Sequence, residues 1–361
     1  MSTEPAGRVF VVAEAGVNHN GSADLARRLI DVAAEAGADA VKFQSFRADS
    51  LVSRHAPRAE YQKRNQPGEL SQLEMLRRLE LGEDAQRALQ AHARERGIEF
   101  MSSPFDHASL DFLADALRVK RLKIGSGEIT NAPLLLRAAR KRLPLVVSTG
   151  MSSMREVEAA LGVIAHGLTS EAEPSGPAAF RAAYAGAAGR AALGRHVTLL
   201  HCTSDYPAPV AEINLRAMET LRAGFGLPVG LSDHSAGTAV AIAAAALGAA
   251  AIEKHFTLDR ALPGPDHRAS LEPGELAAMI GAIREVESAL GSGAKEPTPA
   301  ELGTLPVARR SLVAARAIRK GERFGPGDIA AKRPGTGVSP FHYWEWVGRV
   351  AERDYAEDEL L

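Results

Sequence analysis

The sequence predicts an α/β TIM barrel followed by a small β-rich domain. Over residues 9–285, short apolar runs alternate with alanine- and leucine-rich segments of helical spacing, which is the pattern of repeated βα units. The apolar runs are nearly continuous, so each strand is expected to be buried on both faces, as in a parallel sheet covered by helices. Eight such runs over about 250 residues match a TIM barrel. A doubly wound open sheet is the structural alternative.

The predicted strands follow one another with helical segments between several of them. The first run, 9–15, precedes an amphipathic segment, 24–38, with a glycine near its end. The remaining runs are 40–44, 98–105, 121–128, 143–150, 197–204, 227–234 and 250–256. Most of them end in polar or charged residues, and a TIM barrel gathers these ends on one face, where active sites lie. We therefore expect one site formed by the strand ends.

Composition excludes several classes of function. The chain has 43 Lys plus Arg against 44 Asp plus Glu, a net charge of -1, so no overall field attracts it to nucleic acid or an anionic membrane. The single cysteine, Cys202, excludes an internal disulfide and a cysteine-based metal cluster. The N-terminus lacks a signal-peptide pattern, and no run approaches the roughly 18 apolar residues of a membrane span. These observations predict a soluble, cytoplasmic protein without nucleic-acid or membrane partners.

Two histidines close the last two predicted strands. Neighbouring strands lie about 4.8 Å apart, so the imidazoles of His234 and His255 can share a divalent metal ion. Asp233 and Glu253 lie beside them, and water or substrate oxygens would complete an open metal site. The alternative is that each histidine only caps or packs at its strand end.

Two lysines also occupy strand positions. Lys42 and Lys123 follow apolar strand residues, where an ammonium group is costly unless it meets a negative partner. They either clamp a phosphate or carboxylate, or form an internal ion pair with Glu14, Glu128 or Glu253.

Hydroxyl groups and glycines favour the anion clamp. Ser103, Ser126, Ser148 and Thr149 lie at strand ends, and glycine-rich turns supply backbone N–H groups leading into helices, an arrangement that suits oxyanions. A phosphorylated, carboxylated substrate is the favoured prediction, although such turns also serve simply to connect barrel elements.

Ten motifs, taken together, resemble the sialic acid synthase family of the N-acetylneuraminate and legionaminate synthase type. They are AEAGVNHNG (13–21), VKFQ (41–44), SSPFD (102–106), KIGSGE (123–128), STGM (148–151), LHCTSDYPAP (200–209), GLSDH (230–234), EKHF (253–256), GPDHRASLEP (264–273) and KRPGTG (332–337). They occur in the order of that family, and the match runs from about residue 8 to residue 352.

The resemblance implies a condensation of phosphoenolpyruvate with an N-acylated amino sugar. The first expectation is N-acetylmannosamine as the acceptor, giving N-acetylneuraminate and phosphate. The alternative is 2,4-diacetamido-2,4,6-trideoxymannose, giving N,N'-diacetyllegionaminate. A metal-dependent pyruvate aldolase, which releases no phosphate, and a non-catalytic sugar-binding protein are the competing classes.

The resemblance also implies roles for individual residues. His234 and His255 would hold a divalent ion, Mn²⁺ or Mg²⁺. The phosphoenolpyruvate contacts would be Lys42, Ser103, Lys123, Ser126, Ser148 and Ser232. The groups around the sugar would be Gln44, Tyr206, Asp266 and Arg333, together with Glu14 and Glu253. The catalytic residues would be Glu14, Glu253, Lys42 and Lys123, with the general base left open between the two glutamates. Many relatives have asparagine where this chain has Ser204.

The C-terminal part of the chain predicts a second domain. Barrel residues 1–285 precede a linker, 286–305, rich in Gly, Pro and charge. Residues 306–361 resemble the antifreeze-like SAF domain, a β-clip fold. In the family this domain reaches over the barrel of the partner in a domain-swapped homodimer, which implies that Arg333 enters the partner's site; the alternative is a solvated arginine. The aromatic group 341–346 is expected to form this domain's core.

Overall fold

A computed structural model of the chain describes residues 7–58 and 71–361. The chain divides into two compact units, Met1–Gly291 and Ser292–Leu361. Within the described ranges, every helix is too short or too polar to cross a lipid bilayer.

The first unit is an eight-stranded parallel barrel. Its strands are β1 Phe10–Gly16, β2 Ala40–Ser45, β3 Glu99–Pro104, β4 Leu122–Ile124, β5 Leu145–Ser148, β6 Val197–Cys202, β7 Val229–Asp233 and β8 Ala251–His255. The strands run in the order β3-β2-β1-β8-β7-β6-β5-β4. The two outermost strands of this order, β3 and β4, contact each other, so the sheet curves round into a barrel. The predicted TIM barrel is confirmed, and the open sheet is excluded.

Helices connect the strands and cover the barrel. Those of the first unit are Ala23–Glu35, Ala48–Leu51, Gln72–Arg77, Glu83–Glu95, His107–Asp111, Ala132–Arg140, Met154–Thr169, Pro177–Ala185, Ala187–His196, Ala217–Phe225, Ala239–Ala246 and Pro273–Leu290. Serines begin several of them: the side chains of Ser22, Ser71 and Ser153 accept backbone N–H groups of the first turn, which satisfies donors that have no partner inside the helix.

The barrel interior has an apolar layer beneath a polar one. Val12, Ala40, Met101, Val146, Leu200 and Ala251 pack together in one buried cluster. Strand side chains alternate between the two faces, so the residues two positions further along the same strands face the same interior. These are Glu14, Lys42, Ser103, Ser148, Cys202 and Glu253. The apolar layer therefore closes the barrel below, and the polar layer faces its C-terminal mouth.

The second unit is small and built around one antiparallel strand pair. Strand β9 (Ser311–Ala314) pairs with β10 (Ile329–Lys332). The short helices of this unit are Pro299–Leu302, Leu305–Ala308 and Tyr343–Trp346. The last barrel helix, Pro273–Leu290, occupies the first five positions of the predicted linker 286–305.

The aromatic segment of the second unit is only partly buried. Tyr343 and Trp346 pack against the unit's core, which includes Phe324 and Tyr355. Phe341 and Trp344 are instead 91% and 79% exposed. The expectation that residues 341–346 form the core is therefore correct for only part of this segment.

Candidate functional site

A cavity of about 760 Å³ opens at the C-terminal ends of the barrel strands. All but two of the predicted site residues line it. The lining residues among them are Glu14, Lys42, Gln44, Ser103, Lys123, Ser126, Ser148, Tyr206, Ser232, His234, Glu253 and His255. Strand alternation explains most of the set, because the inward positions of consecutive strands converge on one mouth. Ser126 and Tyr206 instead lie in the segments that follow β4 and β6.

Asp266 and Arg333 are the two predicted site residues outside this lining. Asp266 is buried in the loop after β8. Burial raises its pKa to about 6, and the nearby imidazole of His234 opposes part of that rise. Arg333 belongs to the second unit, is exposed, and donates from Nε to the carbonyl oxygen of Ala308 at 3.0 Å.

Two lysines and two glutamates form a buried network at the floor of the cavity. Nζ of Lys42 lies 2.8 Å from Oε2 of Glu14 and 3.8 Å from Oε1 of Glu253, and Nζ of Lys123 lies 3.1 Å from the same Oε1 atom. All four side chains are at most 4% exposed. The internal ion pairs that the sequence allowed are thus present with Glu14 and Glu253, while both ammonium groups also face the cavity.

The two glutamates have opposite electrostatic environments. Burial raises the pKa of Glu14 above its ordinary value, and Lys42 offsets only part of this effect. Burial also acts to raise the pKa of Glu253, but Lys123 and Lys42 together outweigh it and lower that pKa. Glu253 is therefore the carboxylate that stays ionised, whereas Glu14 is the carboxyl group able to exchange a proton near neutral pH.

The histidine pair lies at the rim of the same cavity. The ring centroids of His234 and His255 are 5.4 Å apart, and the ring of Tyr206 lies 4.1 Å and 5.5 Å from them, respectively. Nδ1 of His234 lies 2.8 Å from the carbonyl oxygen of Thr203, so this nitrogen carries a proton, and in the neutral ring Nε2 keeps its lone pair. Burial acts to lower the pKa of His234, but Cys202 and the Thr203 carbonyl outweigh it and raise that pKa. An imidazole oriented by a backbone carbonyl in this way is typical of metal ligands.

His255 also presents a free lone pair. Its buried Nδ1 has no hydrogen-bond partner among the residues that the structure describes, and burial lowers its pKa well below the ordinary value, which keeps the ring neutral. Over residues 7–58 and 71–361, no group of three or more His, Cys, Asp or Glu side chains could hold a metal ion. The two adjacent imidazoles alone would fit a divalent ion that completes its shell with water or substrate.

Serine hydroxyls surround the lysines. Oγ of Ser103 accepts from Lys42 Nζ at 3.1 Å, and Oγ of Ser232 donates to Glu253 at 3.0 Å. Oγ of Ser148 is buried and has no partner within the described part of the chain. An unpartnered buried hydroxyl is costly unless a ligand satisfies it, which favours a polar ligand at this position.

The turn after β5 requires a glycine. The Gly150 N–H donates to Oγ of Ser126 at 3.0 Å. A Cβ atom at Gly150 would lie 2.3 Å from Oγ of Ser204 and 2.8 Å from Oγ of Ser126, well inside contact distance. The backbone therefore approaches these two hydroxyls at a distance that only glycine permits.

Several residues that sequence reasoning had not assigned to the site also line the cavity. They are Phe105, Gly125, Gly127, Met151, Cys202 and Asp205. Ser204, noted in the sequence as the replacement for the asparagine of many relatives, lines the cavity too. Cys202 is buried on β6 with its Sγ 3.6 Å from Nδ1 of His234. The same alternation that places Lys42 inside the barrel would have placed Cys202 there. Phe105 and Met151 follow β3 and β5, and no local pattern distinguishes such loop residues from ordinary connections.

The fold and site define a class of protein. The molecule is a TIM barrel whose strand ends hold two lysines, two glutamates, two histidines and a ring of serines around one cavity. A site of this kind suits an enzyme that acts on an anionic small molecule.

Comparison with known proteins gives the family. Residues 29–295 match the NeuB family, and residues 309–361 match the SAF domain. The chain belongs to the NeuB family and is an enzyme of this group of synthases, as the sequence motifs indicated. This membership supports a sialic acid synthase-type condensation over the aldolase and the non-catalytic binding protein.

Individual relatives resemble the chain over nearly its whole length. It is 44% identical to the N,N'-diacetyllegionaminic acid synthase of Campylobacter jejuni, covering 98% of this chain and 99% of that protein. It is 47% identical to the protein of the same name from Legionella pneumophila, covering 94% and 89%. The crystal structure of the N-acetylneuraminic acid synthetase of Leptospira borgpetersenii matches with a TM-score of 0.68 and 32% identity, covering 82% of this chain and 90% of that one.

Proposed function

We propose that this enzyme condenses phosphoenolpyruvate with 2,4-diacetamido-2,4,6-trideoxymannose and water to give N,N'-diacetyllegionaminate and phosphate. The reaction class rests on one observation: a buried layer of two lysines and two glutamates shares a cavity with two histidines that can bind a metal ion as neutral imidazoles. The choice of acceptor is supported by the near full-length similarity to two N,N'-diacetyllegionaminic acid synthases. N-acetylmannosamine, the first expectation from the sequence, becomes the second candidate.

Phosphoenolpyruvate would bind beside the two lysines. The ammonium groups of Lys42 and Lys123 face the cavity from neighbouring positions around Glu253, and they would balance the phosphate and carboxylate charges. Ser103, Ser126, Ser148 and Ser232 supply hydroxyl groups around them. The unpartnered hydroxyl of Ser148 is available to bind such an oxyanion.

His234 and His255 would hold the divalent ion, Mn²⁺ or Mg²⁺. Both imidazoles present a lone pair, and the carbonyl oxygen of Thr203 orients the first of them. When bound, the ion would supply Lewis-acid polarisation of the aldehyde of the open-chain sugar.

The reaction forms one carbon–carbon bond and one carbon–oxygen bond to water, and it breaks the carbon–oxygen bond to phosphate. The C3 carbon of phosphoenolpyruvate bonds to the aldehyde carbon of the sugar, whose oxygen takes up a proton and becomes a hydroxyl group. Water adds to C2, and the tetrahedral adduct loses phosphate by C–O cleavage, which leaves the 2-keto group. Glu14 takes the proton from the attacking water, because its raised pKa suits proton exchange near neutral pH. Glu253 remains a carboxylate that holds Lys123 in place.

The cavity mouth suits an acceptor with apolar substituents. Phe105 and Met151 line the cavity, and Met151 is 73% exposed at its edge. The proposed sugar carries a second acetamido methyl group and a methyl group at C6 in place of a hydroxymethyl group, so it offers apolar surface to such side chains. Gln44 and Tyr206, which line the cavity, would contact its polar groups. Asp266, the third residue that the resemblance assigns to the sugar, is buried outside this lining. Ser204 is shorter than the asparagine of many relatives, which leaves additional room.

The substrate assignment is tested by phosphate release. After metal stripping, the protein is given phosphoenolpyruvate with either sugar, with and without Mn²⁺. We expect Mn²⁺-dependent release with both reactants present and a kcat/KM at least about tenfold higher for the diacetamido sugar, equivalent to about 1.4 kcal/mol. A higher kcat/KM for N-acetylmannosamine would contradict the proposed acceptor and identify the enzyme as an N-acetylneuraminate synthase. Release with neither sugar from folded protein would exclude both assignments.

We further propose that two chains form a domain-swapped homodimer in which Arg333 serves the barrel of the partner. Replacing Arg333 with alanine is expected to lower kcat/KM for the sugar by about 100-fold, because a guanidinium group that hydrogen bonds the substrate contributes about 3 kcal/mol. The exposed Arg319 in the same unit is the matched control. Its alanine variant should retain wild-type turnover.

A mixing experiment tests whether Arg333 acts across subunits. Arg333→Ala and Lys123→Ala chains, each expected to have at most about 1% of wild-type kcat/KM alone, are co-expressed in equal amounts. Half of the dimers are then mixed, and each mixed dimer carries one complete site, so about a quarter of wild-type activity should return. An inactive mixture of confirmed mixed dimers would show that Arg333 acts on the barrel of its own chain.

A further inference from the structure

A buried ion pair lies between the strand ends that carry the two histidines. Asp233 of β7 and Lys254 of β8 are direct neighbours in the sheet register. Nζ of Lys254 lies 2.8 Å from Oδ2 of Asp233, and the two side chains are 1% and 0% exposed, respectively. This pair is separate from the lysine and glutamate network inside the barrel.

The pair lies on the outer face of the barrel wall. Ser232, His234, Glu253 and His255 line the cavity. Side chains alternate along a strand, so Asp233 lies between two inward residues of its strand and points to the opposite face. Lys254 lies in the same way between Glu253 and His255. The ion pair is thus directly behind the residues that face the substrate.

The same pair fixes the backbone that follows His234. Oδ1 of Asp233 accepts the backbone N–H of Ser235 at 2.8 Å and its hydroxyl at 2.7 Å. Nζ of Lys254 donates to the carbonyl oxygen of Ser235 at 2.5 Å. The carbonyl of His234 itself accepts the N–H of Ala208 at 2.9 Å. His234 is therefore held between two anchored neighbours, and the anchor is bound to the strand of His255.

We propose that Asp233, Lys254 and Ser235 are positioning residues that set the relative placement of His234 and His255 for a divalent cation. This inference rests on the proposed function, which makes these histidines the metal ligands. A buried ion pair commonly adds little net stability compared with apolar residues of similar volume. Its contribution here is geometric, because the pair joins the two histidine strands through one charged contact and three hydrogen bonds around Ser235.

The test removes both charges together. In the double variant Asp233→Asn/Lys254→Met, no unpaired charge remains buried, and the asparagine oxygen can still accept from Ser235. We expect the Kd for Mn²⁺, measured by electron paramagnetic resonance of the free ion, to rise at least about tenfold, as is usual when groups that orient metal ligands are lost. The KM for phosphoenolpyruvate at saturating Mn²⁺ should change less than about threefold, because the lysines inside the barrel are untouched.

A milder variant distinguishes a direct loss of Mn²⁺ affinity from a failure of the double variant to fold. Ser235→Ala removes only the hydroxyl bond to Asp233 and keeps the ion pair. We expect it to fold with a Tm close to that of the wild type and to raise the Kd for Mn²⁺ by about threefold, the effect of one lost hydrogen bond of about 0.7 kcal/mol.

The matched control is a buried polar contact behind a different strand. Oε1 of Gln86 accepts from Oγ of Ser45 at 2.6 Å, outside the barrel and remote from the histidine strands in the sheet order. Gln86→Met should lower Tm without changing the Kd for Mn²⁺. Wild-type Mn²⁺ affinity in the double variant and in Ser235→Ala would overturn the inference, as would an equal loss in Gln86→Met. A wild-type protein that binds no Mn²⁺ would instead overturn the metal assignment on which the inference depends.

Discussion

Replacing Lys123 with alanine is expected to abolish phosphoenolpyruvate binding while the barrel stays folded. The ammonium group is buried in the cavity, 3.1 Å from Glu253. Without it, Glu253 keeps Lys42, at 3.8 Å, as its one lysine partner among the residues that the structure describes, and its carboxylate repels an incoming phosphate. Truncating one member of a buried charge pair that meets an anionic ligand costs about 2–5 kcal/mol, which corresponds to a loss of affinity of roughly thirty- to several-thousandfold.

Calorimetric titration with phosphoenolpyruvate measures the loss of affinity. Thermal unfolding of the same samples shows whether the barrel stays folded. Lys120→Ala, an exposed lysine three positions earlier, should bind as the wild type does. The double variant Lys123→Met/Glu253→Gln removes the repelling carboxylate as well, so recovery of some affinity would assign part of the effect to the unpaired Glu253. Normal turnover by Lys123→Ala would refute its place in the substrate site.

The strands of the barrel could be predicted because burial on both faces leaves a continuous apolar run. The run 250–256 corresponds to β8 (Ala251–His255), and the run 40–44 corresponds to β2 (Ala40–Ser45). The predicted strand 121–128 extends beyond the observed one, because β4 ends at Ile124 and Ser126–Glu128 forms a 3₁₀ helix. The backbone of Gly125, with φ of -68°, leaves the strand in a conformation open to any residue, so no sequence signal marks where β4 ends.

The partners of the two lysines could not be chosen from the sequence. Glu14 and Lys42 are register neighbours on adjacent strands, but Lys123 on β4 and Glu253 on β8 are not adjacent in the sheet. Their contact crosses the barrel interior, so it depends on the closure of the whole sheet and on no local spacing. Glu128, the third candidate, instead accepts a hydrogen bond from Asn131 at 2.7 Å.

The charged residues beside the histidines show a second limit of sequence-based prediction, which is the direction in which a strand-end side chain points. The end of a strand beside His234 places Asp233 near the predicted metal, yet strand alternation turns its side chain outward, where it meets Lys254. The strand boundary and the orientation of one residue must be known before that alternation can be applied. The polar ends of strands therefore predict where a site lies more securely than they predict which side chains enter it.

Replacing either histidine is expected to remove the metal and the activity that depends on it. In the described part of the chain, His234 and His255 are the only paired imidazoles of the cavity lining, so His255→Gln leaves a single strong ligand. We expect the Kd for Mn²⁺ to rise by at least about 100-fold, more than for loss of a group that only orients a ligand. Mn²⁺-dependent phosphate release should fall in parallel.

The control for this prediction is another histidine on a barrel strand. His201 lies on β6 and hydrogen bonds through Nε2 to the carbonyl oxygen of Ile213 at 2.6 Å, outside the cavity lining. His201→Gln should keep both Mn²⁺ affinity and turnover. If His255→Gln released phosphate at the wild-type rate after metal stripping, the two imidazoles would serve only to pack against Tyr206. Lys42 and Lys123 would then neutralise the negative charge of the substrate without a metal ion, because their ammonium groups remain in the cavity in either case.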